Sequence, residues 1–105
     1  MRRGDVVLYT FRPPDKTRPV VILSRNTVIP VLDTVMVAPV TSTIREIPSE
    51  IVIGTAEGLD HDSAVNLDHV QTVAKAQLGR RLGRLSPTQL RALCTALAIA
   101  VGCDD

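Results

Sequence analysis

Three hydroxyl side chains in a row, Thr41-Ser42-Thr43, stand just ahead of a guanidinium, Arg45, at the end of the apolar run Val35-Met36-Val37-Ala38-Pro39-Val40. Hydroxyls donate and accept hydrogen bonds, and a guanidinium offers a planar fork that fits phosphate or carboxylate. Polar groups held at the end of a buried strand sit on rigid support, a favourable setting for a site. Taken alone, the same triplet reads first as an ST-turn that satisfies its own backbone. The histidines suggest acid–base work. However, His61 lies within Asp60-His61-Asp62 and His69 follows Asp68, so both read as ordinary surface or strand residues. Asp60 and Asp62 would need more oxygen ligands than their spacing supplies to hold a cation. Two cysteines and two histidines, widely scattered, give no zinc-site spacing. Neither a metal nor a cofactor is expected.

Charge carries a second signal. The net charge of +1 hides three blocks. Residues 1–45 hold seven basic and three acidic side chains, residues 46–70 hold six acidic and no basic ones, and residues 71–91 hold five basic and no acidic ones. The first and third blocks could together form a face for a polyanion, although ordinary surface charge would also account for them. Apolar residues make up 45% of the chain, with no Trp, one Tyr and one Phe, so the core is aliphatic. So few aromatics argue against modules that stack bases on Phe or Tyr platforms. No apolar run approaches a membrane span and nothing resembles a secretory signal, so a soluble, cytoplasmic protein is expected.

At 105 residues the chain reads as one domain, 1–105. Val6–Tyr9 reads as a first strand, and Arg12–Thr17, with its paired prolines, as a loop. Arg18–Ser24 contains Val20-Val21-Ile22-Leu23, an unbroken apolar run that suits a strand buried on both faces. The connection Arg25–Asp33 carries Val28, Ile29, Val31 and Leu32, which need cover. A third strand begins at Val35, with Pro39 marking its end, an edge or a bulge. Ile51–Ile53 is a fourth strand, Ala64–Val73 a long fifth, Lys75–Leu78 one helical turn and Arg80–Arg84 a short basic strand. Ser86, Pro87 and Gln89 form an N-terminal capping box, and Leu90, Leu93, Cys94, Leu97 and Val101 share one helical face up to the stop at Gly102. Cys94 is thus expected in the core. Strands followed by a single terminal helix exclude a parallel βαβ architecture and suggest a bent sheet or barrel.

These pieces, taken in order, resemble the MazF/PemK-type toxins of bacterial toxin–antitoxin pairs. The resemblance rests on Arg3-Gly4-Asp5-Val6-Val7, Arg18-Pro19-Val20-Val21-Ile22-Leu23-Ser24, Ala38-Pro39-Val40-Thr41-Ser42 and Asp62-Ser63-Ala64-Val65-Asn66-Leu67. It continues through Val70-Gln71-Thr72-Val73 and Leu82-Gly83-Arg84-Leu85-Ser86, and so covers nearly the whole chain. It implies a mainly β fold, a half-open SH3-like barrel of five to seven short strands with a C-terminal amphipathic helix. It also implies a homodimer, a cognate antitoxin as partner, and metal-independent cleavage of single-stranded RNA. Arg18 and Thr41 fall at the positions of the family's catalytic pair, with neither histidine near them in the motif. Asp15, Lys16, Arg25, Ser42, Thr43 and Arg45 are the expected substrate-binding residues. The loop before Arg18 is shorter than is common in the family and offers only Asp15 as a carboxylate.

RNA carries its own nucleophile, the 2′-OH. A guanidinium suits neutralisation of the phosphate oxygens, and a threonine hydroxyl can donate to the developing oxyanion. Arginine stays protonated at physiological pH, which leaves its part in proton transfer open. Two other readings compete. A CcdB-type gyrase poison shares this barrel and cleaves nothing, but the chain ends in Ile99-Ala100-Val101-Gly102-Cys103-Asp104-Asp105 without an aromatic anchor. A plain SH3-like binding module would want aromatics in its groove, where only Tyr9 and Phe11 are available.

Overall fold

Val20, Val21, Ile22 and Leu23 are all buried, and they alternate between two separate cores. This explains why an unbroken apolar run forms a strand here. Successive side chains leave a strand on opposite faces, and both faces of this one are covered. The computed structural model describes residues 1–11 and 17–103. Among these, the chain forms strands β1 (Asp5–Thr10), β2 (Thr17–Ile22), β3 (Thr34–Thr41), β4 (Glu50–Ile53), β5 (Ser63–Asn66), β6 (Gln71–Ala74) and β7 (Leu78–Arg84), then helix α1 (Pro87–Val101). The strands lie in the order β4-β5-β3-β2-β1-β7, with β6 also paired to β3, and every pairing is antiparallel. The sheet curls into the expected half-open barrel.

One core joins Val6, Val21, Leu23, Ala38, Val65 and Leu93, so α1 closes that face. The other joins Val7, Val20, Ile22, Val35 and Val37 with Ile29. Ile29 comes from the connection between β2 and β3, which folds in a series of turns, and the Lys75 ammonium donates to the Ile29 carbonyl. The apolar residues of this connection therefore divide. Ile29 is buried, while Val31 and Leu32 remain exposed.

The capping box forms as read. Ser86 Oγ accepts from Gln89 N at 3.2 Å, Gln89 Oε1 accepts from Ser86 N at 2.7 Å, and Gly102 ends the helix at φ 68°. The helical stripe differs from expectation. Leu93 and Ala96 are buried, whereas Val101 and Cys94 are exposed. Cys94 is thus a surface thiol, because the face that meets the sheet is centred one position further round, on Leu93, Ala96, Leu97 and Ala100.

Two strand expectations change as well. Pro39 does not end β3, which continues to Thr41. Leu23 N bonds Met36 O, so Pro39, three residues on, occupies a non-bonded position against β2. Its missing N–H lies on the other edge, where pairing with β6 stops at Val37 and pairing with β5 starts at Val40. The single strand expected over Ala64–Val73 is two, separated by a 3-10 turn at Leu67–His69. Val70 lies just after that turn. No described helix is long and apolar enough to cross a membrane.

Candidate active site

The gap along β3 defines the site. β2 and β3 pair Val20 with Pro39, and continuing that antiparallel register outward by two residues sets Arg18 against Thr41. Side chains two apart on a strand share a face, so both belong to the face of Val20 and Pro39. They line one open cleft of about 330 Å³, together with Arg45, Asn66, His69 and Gln71. Phe11, Pro39 and Val40 supply its apolar wall. The Phe11 ring is braced edge-on by Tyr9, with centroids 4.8 Å apart.

Thr41 shows how the turn reading and the site reading fit together. Its Oγ1 accepts from Thr43 N at 3.2 Å, as an ST-turn requires. The hydroxyl hydrogen is then left to donate outward. Arg45 reaches the cleft through a different device. The Glu50 carboxylate accepts from Arg45 N at 2.7 Å and from Glu46 N at 2.8 Å, pinning the segment after β3. Glu46 takes φ 56°, a left-handed conformation rare outside glycine, and these two charge-assisted bonds hold it there. Glu50 is itself buried, so the hold is rigid.

On the opposite side Asn66 caps the Leu67–His69 turn, accepting from Asp68 N at 3.0 Å. Asp68 is tied in turn by Ser49 Oγ at 2.6 Å. Among the described residues, those lining the cleft include two guanidiniums, a hydroxyl, two amides and an imidazole, and no carboxylate. Such an arrangement is rich in donors and suits an anion.

The expected site residues separate. Arg18, Thr41 and Arg45 come together. Ser42 lines an adjoining cleft of about 320 Å³ on the far side of Arg18, with Asp60, His61 and Ser63. Thr43 contributes its backbone N–H to Thr41. Arg25 lies beyond the opposite end of β2 from Arg18 and lines a third cleft. Asp15 and Lys16, with Arg12, lie outside the described residues. Both histidines are exposed, as read, yet His69 lines the Arg18 cleft, where the turn after β5 packs against β3, and His61 lines the adjoining one. Asn66, Gln71 and Phe11 are given no site role by the sequence, although Asn66 and Gln71 stand in the quoted motifs and Phe11 is one of its few aromatics.

The profile of the PemK-like, MazF-like toxins of type II toxin–antitoxin systems matches residues 2–101. Probable endoribonuclease MazF5 of Mycobacterium tuberculosis is 51% identical over 88 residues, covering 83% of this chain and 81% of its own length. The solved structure of Mycobacterium tuberculosis toxin MazF-mt6 superposes with a TM-score of 0.86 at 37% identity, covering 93% of this chain and 96% of its own. An endoribonuclease from a mycobacterial species, solved in complex with its cognate antitoxin, superposes at 0.85 with 29% identity, covering 98% and 96%.

Proposed function

This chain belongs to the PemK-like, MazF-like family of type II toxins, and on that premise we propose that it is an endoribonuclease whose reaction centre is the Arg18–Thr41 cleft. The observation that carries the proposal is the convergence of Arg18, Thr41 and Arg45 on one cleft without a lining carboxylate among the described residues. Single-stranded RNA lies across this cleft with its scissile phosphate at Arg18. The fork of Arg18 neutralises the non-bridging oxygens, and Thr41 Oγ1–H donates to the same phosphate as its charge grows. The 2′-oxygen forms a bond to phosphorus while the bond to the 5′-oxygen breaks. The 2′-OH proton passes to solvent, and solvent protonates the 5′-oxygen, since a guanidinium stays protonated at neutral pH. No metal is required, because the charge that a cation would supply is already present as two guanidiniums. The gyrase-poison alternative is not favoured, given the family to which the chain belongs.

A cognate antitoxin is the partner, as in the mycobacterial complex. The working form is a homodimer, supported by the exposed Leu32 and Met36 lining the third cleft and by the exposed Val31 next to Leu32 in the chain. The test of the nuclease reading is incubation of purified protein with mixed single-stranded RNA in EDTA, followed by mapping of the ends. Fragments with 2′,3′-cyclic phosphate and 5′-hydroxyl termini are expected. A strict need for magnesium would overturn the mechanism.

A further inference from the structure

The turn behind the cleft carries polar bonds that the mechanism above does not use. Asn66 is 8% exposed, and its Oδ1 accepts from Asp68 N, which fixes the way its amide is turned. Its Nδ2 therefore faces His69 Nδ1 at 3.2 Å. An amide NH₂ can only donate, so Nδ1 accepts and the hydrogen of the neutral ring sits on Nε2. With Nδ1 tied to a buried partner, Nε2 is the end left to the cleft that His69 lines. Adding a proton to the ring would set Nδ1–H against the amide NH₂, donor against donor.

We infer that His69 is a further catalytic residue, a neutral imidazole whose Nε2–H hydrogen-bonds a non-bridging oxygen of the scissile RNA phosphate, with Asn66 the positioning residue that fixes its tautomer. The inference rests on the nuclease reading and deepens it. The ring keeps its hydrogen throughout and exchanges no proton with the 2′-OH or the 5′-oxygen. A phosphate is the ligand because Arg18, Arg45 and Thr41, which line the same cleft, also act as donors, and what they can share with the ring is an acceptor-rich anion. The charged neighbours are accounted for on each element. Arg18 comes from β2 and Arg45 from the segment after β3. Glu50 of β4 pairs with Asn66 across the sheet, its carboxylate engaged by Arg45 N and Glu46 N. Asp68 bonds Ser49. The described part of α1 carries Arg91, bonded to Thr88, and the exposed Cys94.

Three variants test this on a single-stranded RNA substrate under single-turnover conditions. His69→Ala should slow cleavage about tenfold or more, the low end for losing an oxyanion donor. His69→Gln should recover most of the rate, because its amide N–H replaces Nε2–H, whereas a proton-transfer role would not be rescued. Asn66→Asp keeps the cap on Asp68 N but turns an acceptor toward Nδ1. Its neutral ring then carries hydrogen on Nδ1, and Nε2–H exists only in the protonated ring. The ratio of Asn66→Asp to wild-type rate should therefore fall as pH rises. Nitrogen-15 NMR of the RNA-free proteins should show the Nε2–H tautomer in wild type and Nδ1–H in Asn66→Asp. A pH-independent ratio, a wild-type Nδ1–H tautomer, or a His69→Ala rate equal to wild type would each overturn the donor role. If wild type itself cleaves no RNA, the nuclease reading falls and the donor role with it. If wild type cleaves and His69→Ala matches it, only the donor role falls.

Discussion

At Arg18 the useful property is a permanent charge on a planar fork, and at Thr41 it is a hydroxyl whose oxygen is already occupied. Removing either should leave the fold intact, since Arg18 is exposed and Thr41 only half-buried at a strand end. Arg18→Ala and Thr41→Ala are each expected to lose about a hundredfold in cleavage rate, the scale for one transition-state donor. Their thermal unfolding should stay close to wild type, as for most surface substitutions. Arg18→Lys keeps the charge and loses the fork, so it should fall between wild type and Arg18→Ala. Thr41→Val, nearly the same shape without the hydroxyl, should be as slow as Thr41→Ala, and Thr41→Ser should be close to wild type. Initial rates and circular dichroism melts measure both halves. Near-wild-type cleavage by Arg18→Ala would remove the central residue. Arg18 and Thr41 were legible in the sequence because each stands in a motif that a known family carries, and Arg45 because it follows three hydroxyls at the end of an apolar run. Asn66 stands in a quoted motif but shows no role there, and His69 stands in none, because what places both at the cleft is a 3-10 turn between two strands. In the sequence that turn is continuous with its flanking strands, since nothing local marks the break.

The elements matter through what they hold still. Glu50 pins the segment that carries Arg45 by bonds to two backbone N–H groups, one at a left-handed residue. Glu50→Ala should release that segment, raising KM for RNA more than it lowers kcat, and should cost about 1–3 kcal/mol for the donors left unpaired. Michaelis profiles and denaturant titration would measure both. Equal loss in kcat and none in KM would contradict the positioning role. The helix depends on its cap, so Ser86→Ala should lower stability by about 1 kcal/mol without changing the cleavage rate. Gly83 is a tighter constraint. A Cβ there would lie 2.3 Å from the Glu57 carbonyl oxygen, which forces the β7 backbone away from its neighbour. Gly83→Ala should therefore destabilise more than Ser86→Ala. The capped helix and the doubly buried β2 could be read directly, because capping and apolar runs are local signals. The continuation of β3 through Pro39 could not, since whether a proline breaks a strand depends on which edge its nitrogen faces. The helix stripe was displaced for a similar reason: Cys94 and Val101 satisfy helical spacing, but the sheet meets the neighbouring face.

For the whole molecule, the cover absent from this single chain is at Val31, 75% exposed, and Leu32, 48% exposed. A homodimer burying them should appear in sedimentation velocity at working concentrations, and a Val31→Glu, Leu32→Glu variant should sediment as a monomer. A wild-type monomer would defeat that proposal. Charge belongs to this scale too. A surface that attracts phosphates attracts acidic segments, so an antitoxin with an acidic tail should compete with RNA, and both should weaken as salt rises. Arg45→Glu should weaken both together. Normal antitoxin binding with lost RNA binding would show that the two do not share a groove. The claim on which the rest depends is that the substrate attacks itself through its 2′-oxygen while the cleft stabilises the charge. It is tested most directly by a single 2′-deoxy substitution at the cleaved nucleotide of an otherwise unchanged RNA, with EDTA present. Cleavage at that position should stop while cutting at an unmodified copy of the same site continues, and persistence of the cut at the deoxy position would contradict the account.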